Sequence, residues 1–180
     1  MSPCLRVATN VIRMNEDSKP VILVDIDGTL ADVRHRLHHI KGAGRKNWKA
    51  FFAAMDGDTP MDETIRWVRE LEKDNHIVVL TGRPEEYRAR TERWLRDHGV
   101  PFEKLVMRPQ GDHRPDYVVK AEVLRDIPRE RIALVIEDRD QVCAMWESKG
   151  VKVHQVASDE DNQQVNEAYR REFGKHGASD

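Results

Sequence analysis

The stretch that decides the fold of this chain is Val21-Ile22-Leu23-Val24-Asp25-Ile26-Asp27-Gly28-Thr29-Leu30. Its four leading apolar residues are typical of a parallel strand that is buried on both faces. Two carboxylates, Asp25 and Asp27, follow at the end of that strand, and burying them is costly unless they hold a metal or do chemistry. Because ligands of open α/β sheets bind at the carboxyl ends of strands, both residues are candidate catalytic groups. The alternative is a solvated turn, since Asp and Gly are ordinary turn residues.

The composition indicates a soluble globular protein. The chain has 180 residues, of which 39% are hydrophobic and 34% are charged, which suits one domain and is slightly short for two. A net charge of -2 gives no overall field to attract nucleic acid, so a basic binding surface would have to be local. Two distant cysteines, Cys4 and Cys143, exclude a disulfide framework and any obvious zinc site. No apolar run could span a bilayer and no signal peptide is apparent, so we expect a cytoplasmic protein without a membrane contact.

The order of predicted elements is that of an α/β fold. After a polar leader (residues 1–19), we expect one domain over residues 20–157 and a polar tail over residues 158–180 that carries one weakly amphipathic helix. Strands after the first are predicted at Ile77–Leu80, Lys104–Met107, Ile132–Ile136 and Val151–Val156. Helices are predicted at Asp62–Asn75, Pro84–His98, Asp116–Asp126 and in a stretch through Trp146. This alternation favours a parallel, Rossmann-type sheet flanked by helices.

Residues 31–60 have no strong period and are expected to form a small cap or rim inserted after the first strand. They include a basic cluster that would line the mouth of a pocket, where Arg34 and His38 could contact a nucleotide phosphate or ribose; the cluster is Arg34, His35, Arg36, His38 and His39. A zinc site built from the histidines is disfavoured, because no cysteine accompanies them and adjacent His38 and His39 point in different directions on a helix.

An aromatic helix is predicted in the same insert, starting near Asn47. Its rings belong to Trp48, Phe51 and Phe52. They could stack on a nucleic-acid base, as in single-strand binders, or pack the cap onto the sheet. Packing is the favoured interpretation for the two phenylalanines, and Trp48 is the best candidate for stacking.

Polar side chains follow three of the predicted core strands, and a parallel sheet brings these strand ends to one edge. They are Asp25 and Asp27 after the first strand, Thr81 and Arg83 after the second, and Glu137 and Asp138 after the fourth. Several carboxylates in one place repel one another unless a cation neutralises them, and oxygen ligands favour Mg²⁺. Thr81, Arg83 and Lys120 would then supply a hydroxyl and positive charge for phosphoryl oxygens.

In this order, the residues resemble the four motifs of the haloacid dehalogenase (HAD) superfamily of phosphohydrolases. The motifs are Asp25-Ile26-Asp27-Gly28-Thr29-Leu30, Thr81, Lys120 and Glu137-Asp138, within residues 20–157. The resemblance implies that Asp25 is a nucleophile that forms an aspartyl-phosphate, and that Asp27 is the general acid and later the base. It implies that Thr81 and Lys120 bind phosphoryl oxygens. It also implies that Mg²⁺ is held by Asp25, Asp138 and the backbone carbonyl of Asp27, with Glu137 as a further candidate ligand.

A narrower resemblance covers residues 107–157, which are similar to the 3′-phosphatase domain of the polynucleotide kinase/phosphatase family that includes the phage T4 enzyme. It rests on Met107–Arg114, Asp116–Lys120, Ile136–Trp146, Val153–Ala157 and the segment Thr81-Gly82-Arg83. It implies removal of 3′-phosphates from nucleic-acid ends. It also makes three arginines, Arg83, Arg108 and Arg139, candidates for contacts to the substrate phosphate or for bracing the acids. Gly28 and Thr29, in the turn after the first strand, are further candidates for contacts to the substrate.

Two departures from that family matter. The family has Asp-Asp where this chain has Glu137-Asp138, which affects the expected metal geometry at Glu137. The sequence contains no Gly-x-x-x-x-Gly-Lys-Ser/Thr loop, so the resemblance does not extend to the kinase half of the family.

The leading hypothesis is a Mg²⁺-dependent polynucleotide 3′-phosphatase that acts through phospho-Asp25, with a separate kinase or ligase as partner. The alternative is a phosphatase of free nucleoside monophosphates, which needs the same chemistry and a more enclosed pocket. A non-enzymatic binding module is disfavoured, because a decayed site would be expected to lose at least one of Asp25, Asp27, Thr81, Lys120 and Asp138. The sequence predicts no oligomeric state.

Overall fold

The computed structural model describes residues 19–42 and 44–156. In chain order the strands are β1 (Val21–Val24), β2 (Ala31–Asp32), β3 (Thr59–Pro60), β4 (His76–Pro84), β5 (Lys104–Arg108), β6 (Ile132–Glu137) and β7 (Val153–Gln155). The α-helices are α1 (Trp48–Ala53), α2 (Asp62–Glu72), α3 (Arg88–Asp97), α4 (Asp116–Ala121) and α5 (Asp140–Ser148). Five strands form a parallel sheet in the order β5-β4-β1-β6-β7, and β2 and β3 form an antiparallel pair. The predicted α/β fold is confirmed.

The central strand β1 is buried on both faces. Ile22 and Val24 belong to a core that α2 and α3 complete, whereas Val21 and Leu23 belong to the core on the other face, which includes residues of α5. Side chains alternate along a strand, so four consecutive apolar residues fill both cores. β4 and β6 pair with β1 on either side, and the polar residues after all three strands therefore share one edge of the sheet.

The residues between β1 and α2 form a small insert that the β2–β3 pair closes. Two 3₁₀ helices, Arg34–His39 and Met55–Gly57, flank α1. The side chain of Asn47 caps α1, as it accepts a hydrogen bond from the backbone N–H of Ala50 at 2.9 Å. Buried apolar residues give the insert its own core: Val33, Leu37, Ile40, Phe51, Phe52 and Met55. The two phenylalanines are thus packing residues, as expected, but they pack within the insert's own core, and Trp48 lies partly buried against the same core.

Two predicted helices differ from the observed ones. Pro84, predicted in a first helical turn, instead ends β4 because it pairs with Arg108 of β5; a 3₁₀ turn at Glu85–Tyr87 then precedes α3. The helix predicted over Asp116–Asp126 is α-helical only as far as Ala121, and its last part tightens into a 3₁₀ turn at Glu122–Arg125, as helix ends often do.

Apart from Lys19, the predicted leader and tail, with the helix expected in the tail, lie outside the described residues. Among residues 19–42 and 44–156, no helix has both the length and the apolar character needed to cross a membrane. Cys143 is a free, buried thiol on α5.

Candidate active site

A tight turn directly after β1 presents the two predicted acids. The carbonyl of Ile26 accepts hydrogen bonds from the backbone N–H groups of residues 29–31, at 2.8 to 3.1 Å. Gly28 has a φ of +86°, and a Cβ at that position would lie 2.2 Å from Oδ2 of Asp138. Glycine is therefore required there for its conformation and for its size. The turn brings the end of β6 directly against the end of β1.

Three buried carboxylates converge at this point. Asp25, Glu137 and Asp138 offer oxygen atoms within 4.8 Å of one another. Both oxygens of Glu137 accept hydrogen bonds, Oε2 from Lys120 at 2.6 Å and Oε1 from the backbone N–H groups of Asp138 and Arg139 at 3.2 Å. Oδ2 of Asp25 and Oδ1 of Asp138, by contrast, have no donor within the described part of the chain. Burial and the charge of Glu137 raise the pKa of Asp25 to about 7 and that of Asp138 well above its ordinary value.

Lys120 supplies the positive charge next to this cluster. Its Nζ donates to Oδ1 of Asp25 at 2.8 Å and lies 3.3 Å from Oδ2 of Asp116. Burial alone would lower the pKa of Lys120, but the surrounding carboxylates outweigh it and raise that pKa well above its ordinary value. Thr81 is the second residue after Val79, which pairs with Val24, and its buried hydroxyl accepts a hydrogen bond from the backbone N–H of Arg83 at 3.2 Å.

Asp27 is held by two fully buried arginines, Arg36 of the insert and Arg83 of β4. Oδ1 of Asp27 accepts from Nη2 of Arg36 at 2.8 Å and from Nε and Nη2 of Arg83 at 2.9 and 2.5 Å. Asp58 binds both guanidinium groups over 2.7 to 2.8 Å, and His35 contacts Asp58 at 2.9 Å. Burial alone would raise the pKa of Asp27, but the two arginines outweigh it and hold that pKa well below its ordinary value. The two arginines therefore favour the ionised form of Asp27.

The family model that matches this chain is that of the polynucleotide kinase PNKP phosphatase domain, and the match covers residues 19–162. The chain belongs to that family. The resemblance to HAD phosphohydrolases is thereby confirmed, and the site above is that of a PNKP-type HAD phosphatase domain.

Solved structures share the fold of this PNKP-type domain. Two chains from Pnkp1/Rnl/Hen1 complexes, one described as an RNA repair complex, match 84% of this chain at TM-scores of 0.65 and 0.66 and identities of 23% and 26%. The chain spans about half of their length, 47% and 50%. A HAD-family enzyme from Bacteroides thetaiotaomicron, in complex with magnesium and inorganic phosphate, matches 81% of this chain and 98% of its own length at a TM-score of 0.51 and 13% identity.

The acidic cluster of the PNKP-type domain fits Mg²⁺, the metal that HAD phosphatases use. Mg²⁺ takes hard oxygen ligands and usually binds one or two carboxylates, with water and phosphate completing its coordination. Asp138 keeps one buried oxygen without a donor in the described residues, and burial together with the charge of Glu137 raises the pKa of both Asp25 and Asp138, so a cation at the cluster would stabilise the two ionised carboxylates. The expected cofactor is therefore confirmed.

Asp116, at the start of α4, links Lys120 to two arginines, although the sequence did not single it out. Oδ1 of Asp116 accepts from Nη2 of Arg108 at 2.9 Å, and Oδ2 accepts from Nη1 of Arg139 at 3.0 Å. Burial opposes ionisation, but Lys120 and the arginines lower the pKa of Asp116 to about 2. A signal did exist, because an Asp four residues before a Lys on a predicted helix is on the same face.

The three arginines predicted at the substrate or behind the acids all contact acids. The guanidinium group of Arg83 donates hydrogen bonds to Asp27 and Asp58, and that of Arg139 donates to Asp116. Arg108 also donates to the backbone carbonyls of Gly82, Asp112 and Arg114 at 3.1, 3.2 and 2.8 Å. Whether any of them also touches a substrate stays a prediction.

The remaining predicted contact residues lie around the turn and the rim. Arg34 is exposed and forms an ion pair with Asp32. His38 is exposed, and its Nδ1 lies 3.0 Å from the carbonyl of His35. Thr29 is fully buried, and its hydroxyl has no hydrogen-bond partner within the described residues.

The prediction of an exposed basic cluster is wrong for Arg36. Its side chain is 0% exposed because the insert folds over Asp27 and the guanidinium bridges Asp27 and Asp58. Asp58, which binds both arginines, was not predicted from the sequence. It lies in a segment without a helical or strand period, so no pattern marks it as buried.

Proposed function

We propose that this chain is a Mg²⁺-dependent phosphomonoesterase that removes 3′-phosphates from nucleic-acid ends through a phosphorylated Asp25. The observation that carries the proposal is the state of the Asp25 carboxylate. Lys120 holds Oδ1 at 2.8 Å, whereas Oδ2 has no donor among the described residues. A buried carboxylate with one oriented oxygen and one unbound oxygen suits attack on phosphorus.

In the first step, Oδ2 of Asp25 forms a bond to phosphorus as the bond from phosphorus to the 3′ oxygen breaks. Asp27 gives a proton to the departing oxygen. The arginine hydrogen bonds to Asp27 end on Oδ1, so Oδ2 is the oxygen that would transfer the proton. An arriving phosphate dianion places negative charge beside Asp27 and raises the pKa that the arginines lower, which favours the protonated acid.

In the second step, water attacks the phosphorus of phospho-Asp25, and Asp27 accepts the proton of that water. Inorganic phosphate leaves and the Asp25 carboxylate is regenerated. Lys120 and Thr81 would bind the phosphoryl oxygens in both steps. Asp25, Asp138 and the backbone carbonyl of Asp27 would hold Mg²⁺, which when bound neutralises charge on the carboxylates and the phosphoryl group. Glu137 would act on Lys120 instead, because both of its oxygens already accept hydrogen bonds.

The substrate class is tested by comparing phosphate release from a short 3′-phosphorylated oligonucleotide and from 3′- and 5′-mononucleotides at equal concentration. We expect a higher kcat/KM for the oligonucleotide, and loss of all release when EDTA removes Mg²⁺. The matched blank is Asp25→Asn. A preference for mononucleotides would contradict the proposal and assign the chain to the phosphatases of free nucleotides.

The Asp27→Asn variant tests the proton transfers separately. We expect turnover of the oligonucleotide to fall about 10²- to 10⁴-fold, since both steps lose their acid or base. p-Nitrophenyl phosphate releases an anion that needs no proton, so its first step should survive. The variant should then show one rapid equivalent of nitrophenolate followed by slow turnover in stopped-flow absorbance. Steady turnover at the wild-type rate would show that another group transfers the proton.

The similar chains in Pnkp1/Rnl/Hen1 complexes support the proposal that this chain acts together with partner proteins. Removal of a 3′-phosphate leaves a 3′-hydroxyl, and joining nucleic-acid ends also needs a 5′-phosphate. We therefore include a separate kinase or ligase in the proposal, as the activities that would prepare and join the ends this domain releases.

A further inference from the structure

In the part of the chain that the structure describes, two clefts border the segments that carry the site residues, each at a glycine. One cleft, of about 690 Å³, is lined by Gly28 of the tight turn after β1. The other, of about 600 Å³, is lined by Gly82 of β4. Both volumes lie in the range of small-molecule sites, about 300 to 1,000 Å³. Size does not distinguish them, and both contain aromatic rings, but charge does.

The cleft at Gly28 is unfavourable for a polyanion. It is lined by three acids, Asp32, Asp62 and Glu63, and by Arg34, which already forms an ion pair with Asp32. A nucleic-acid backbone would meet net negative charge there, and like charges across an interface disfavour binding.

The cleft at Gly82 combines cations with aromatic rings. Lys49, His113 and Arg108 line it, of which Arg108 is paired with Asp116, together with Trp48 and Tyr87. Two acids are also present, of which Asp112 is paired with Arg114; the other is Glu86. Cations that follow a backbone and rings that receive bases are the usual pairing in proteins that bind single strands.

The aromatic wall of this cleft is a row of three rings. Trp48 and Phe52 lie 6.1 Å apart with 27° between their planes, and Phe52 and Tyr87 lie 5.5 Å apart with 33° between theirs. Phe52 is buried between two half-buried rings, so it fixes the two rings that line the cleft. Rings held in advance lose little freedom when a base stacks on them.

The floor of the cleft is close to the nucleophile. A Cβ on Gly82 would lie 2.5 Å from Oδ1 of Asp116, whose other oxygen is 3.3 Å from Nζ of Lys120. That Nζ is 2.8 Å from Asp25. The cleft therefore borders the residues that hold Lys120 beside Asp25.

We propose that the cleft lined by Trp48, Tyr87, Lys49 and His113 binds the terminal base of the substrate's 3′ end and the adjoining backbone. The inference rests on the proposed function, because it assigns a binding surface to the same substrate. It accounts for how an open site can select a nucleic-acid end by stacking, without reading its sequence.

The test is steady-state kinetics of Trp48→Ala and Tyr87→Ala on two substrates, a 3′-phosphorylated oligonucleotide and p-nitrophenyl phosphate, which lacks a base and a sugar. We expect KM for the oligonucleotide to rise about tenfold in each variant, the scale of losing one stacked base. Constants for p-nitrophenyl phosphate should stay within twofold of wild type, which also reports that the variants are folded. Trp48→Phe and Tyr87→Phe keep a ring and should restore most of the affinity.

Two further variants keep the test decisive. Lys49→Gln changes an exposed side chain and should leave the fold intact. It should reduce, by nearly one, the magnitude of the slope of log affinity for the oligonucleotide against log salt concentration. His154→Ala removes an exposed ring from the other cleft and should change nothing. A KM for the oligonucleotide that Trp48→Ala, Tyr87→Ala and Lys49→Gln leave unchanged would overturn this inference alone. A wild-type protein that hydrolyses p-nitrophenyl phosphate but not the oligonucleotide would overturn the proposed function first.

Discussion

Asp25→Asn is expected to abolish phosphate release while the domain stays folded. An amide keeps the shape of the carboxylate, and its oxygen can still accept from Lys120, but it is not a nucleophile. We expect kcat to fall about 10⁴- to 10⁶-fold, the scale on which removal of an enzymatic nucleophile or its partners acts. The measurement is phosphate release from the oligonucleotide under conditions in which the wild type completes many turnovers.

The thermal stability of Asp25→Asn, unlike its activity, should not fall. In the folded protein, burial and Glu137 raise the pKa of Asp25 to about 7 from an ordinary value of 3.8. When the pKa of a carboxyl group is higher in the folded protein than in the unfolded chain, the free energy of unfolding falls as the pH rises from the lower pKa to the higher one. The reason is that ionisation of the group costs more in the folded protein. Asn does not ionise, so the Asp25→Asn variant does not lose this stability. At pH 8 without Mg²⁺ its melting temperature should therefore equal or exceed that of the wild type.

The control for this prediction is Asp97→Asn, the same change at an exposed position at the end of α3. It should leave both kcat and the melting temperature at wild-type values. Mass spectrometry of protein quenched with substrate should find one added phosphoryl group on the wild type and none on Asp25→Asn. Activity of Asp25→Asn within tenfold of wild type would show that another residue attacks phosphorus.

The acidic cluster could be predicted from the sequence because one rule of topology generates it. Buried apolar runs identify β1 and β6 as core strands, and parallel strands end at the same edge, so Asp25, Glu137 and Asp138 have to meet. The turn is equally constrained, since the sequence after β1 has Gly28 at a position where a Cβ would clash with Asp138. The hydrophobic pattern and the parallel topology were therefore sufficient to predict the acidic cluster.

The support of Asp27 could not be predicted in that way. Arg36 and Asp58 lie at opposite ends of an insert without periodicity, and charged residues in such segments are mostly exposed. Their burial follows from how the insert folds over Asp27, which depends on contacts between residues that are 22 apart along the chain. Pro84 differs for a similar reason, because its pairing with Arg108 of a neighbouring strand overrides its local preference for a helix start.

Arg36→Met should be the most destabilising single change in the insert. Its guanidinium is 0% exposed and donates to Asp27 at 2.8 Å and to Asp58 at 2.7 and 2.8 Å. Methionine retains the apolar stem but removes the charge that two buried carboxylates share, and breaking a buried ion pair in this way costs about 3–5 kcal/mol. Arg83 would still face both acids, so we expect the domain to fold with a lower denaturation midpoint.

The free energy of unfolding should be measured by urea denaturation at pH 7, with Arg114→Met as the matched control. Arg114 also bridges two carboxylates, Asp112 and Glu122, but its side chain is 46% exposed, and exposed ion pairs contribute little. The pH matters because Asp27 has a pKa held below its ordinary value, so the stability it gains from the arginines is fully present at pH 7 and is lost as the pH falls through the folded pKa. Equal midpoints for Arg36→Met and Arg114→Met would show that the buried network contributes no more than a surface pair. A large loss confined to Arg36→Met would show that folding of the insert and the ionised state of Asp27 are held by the same guanidinium.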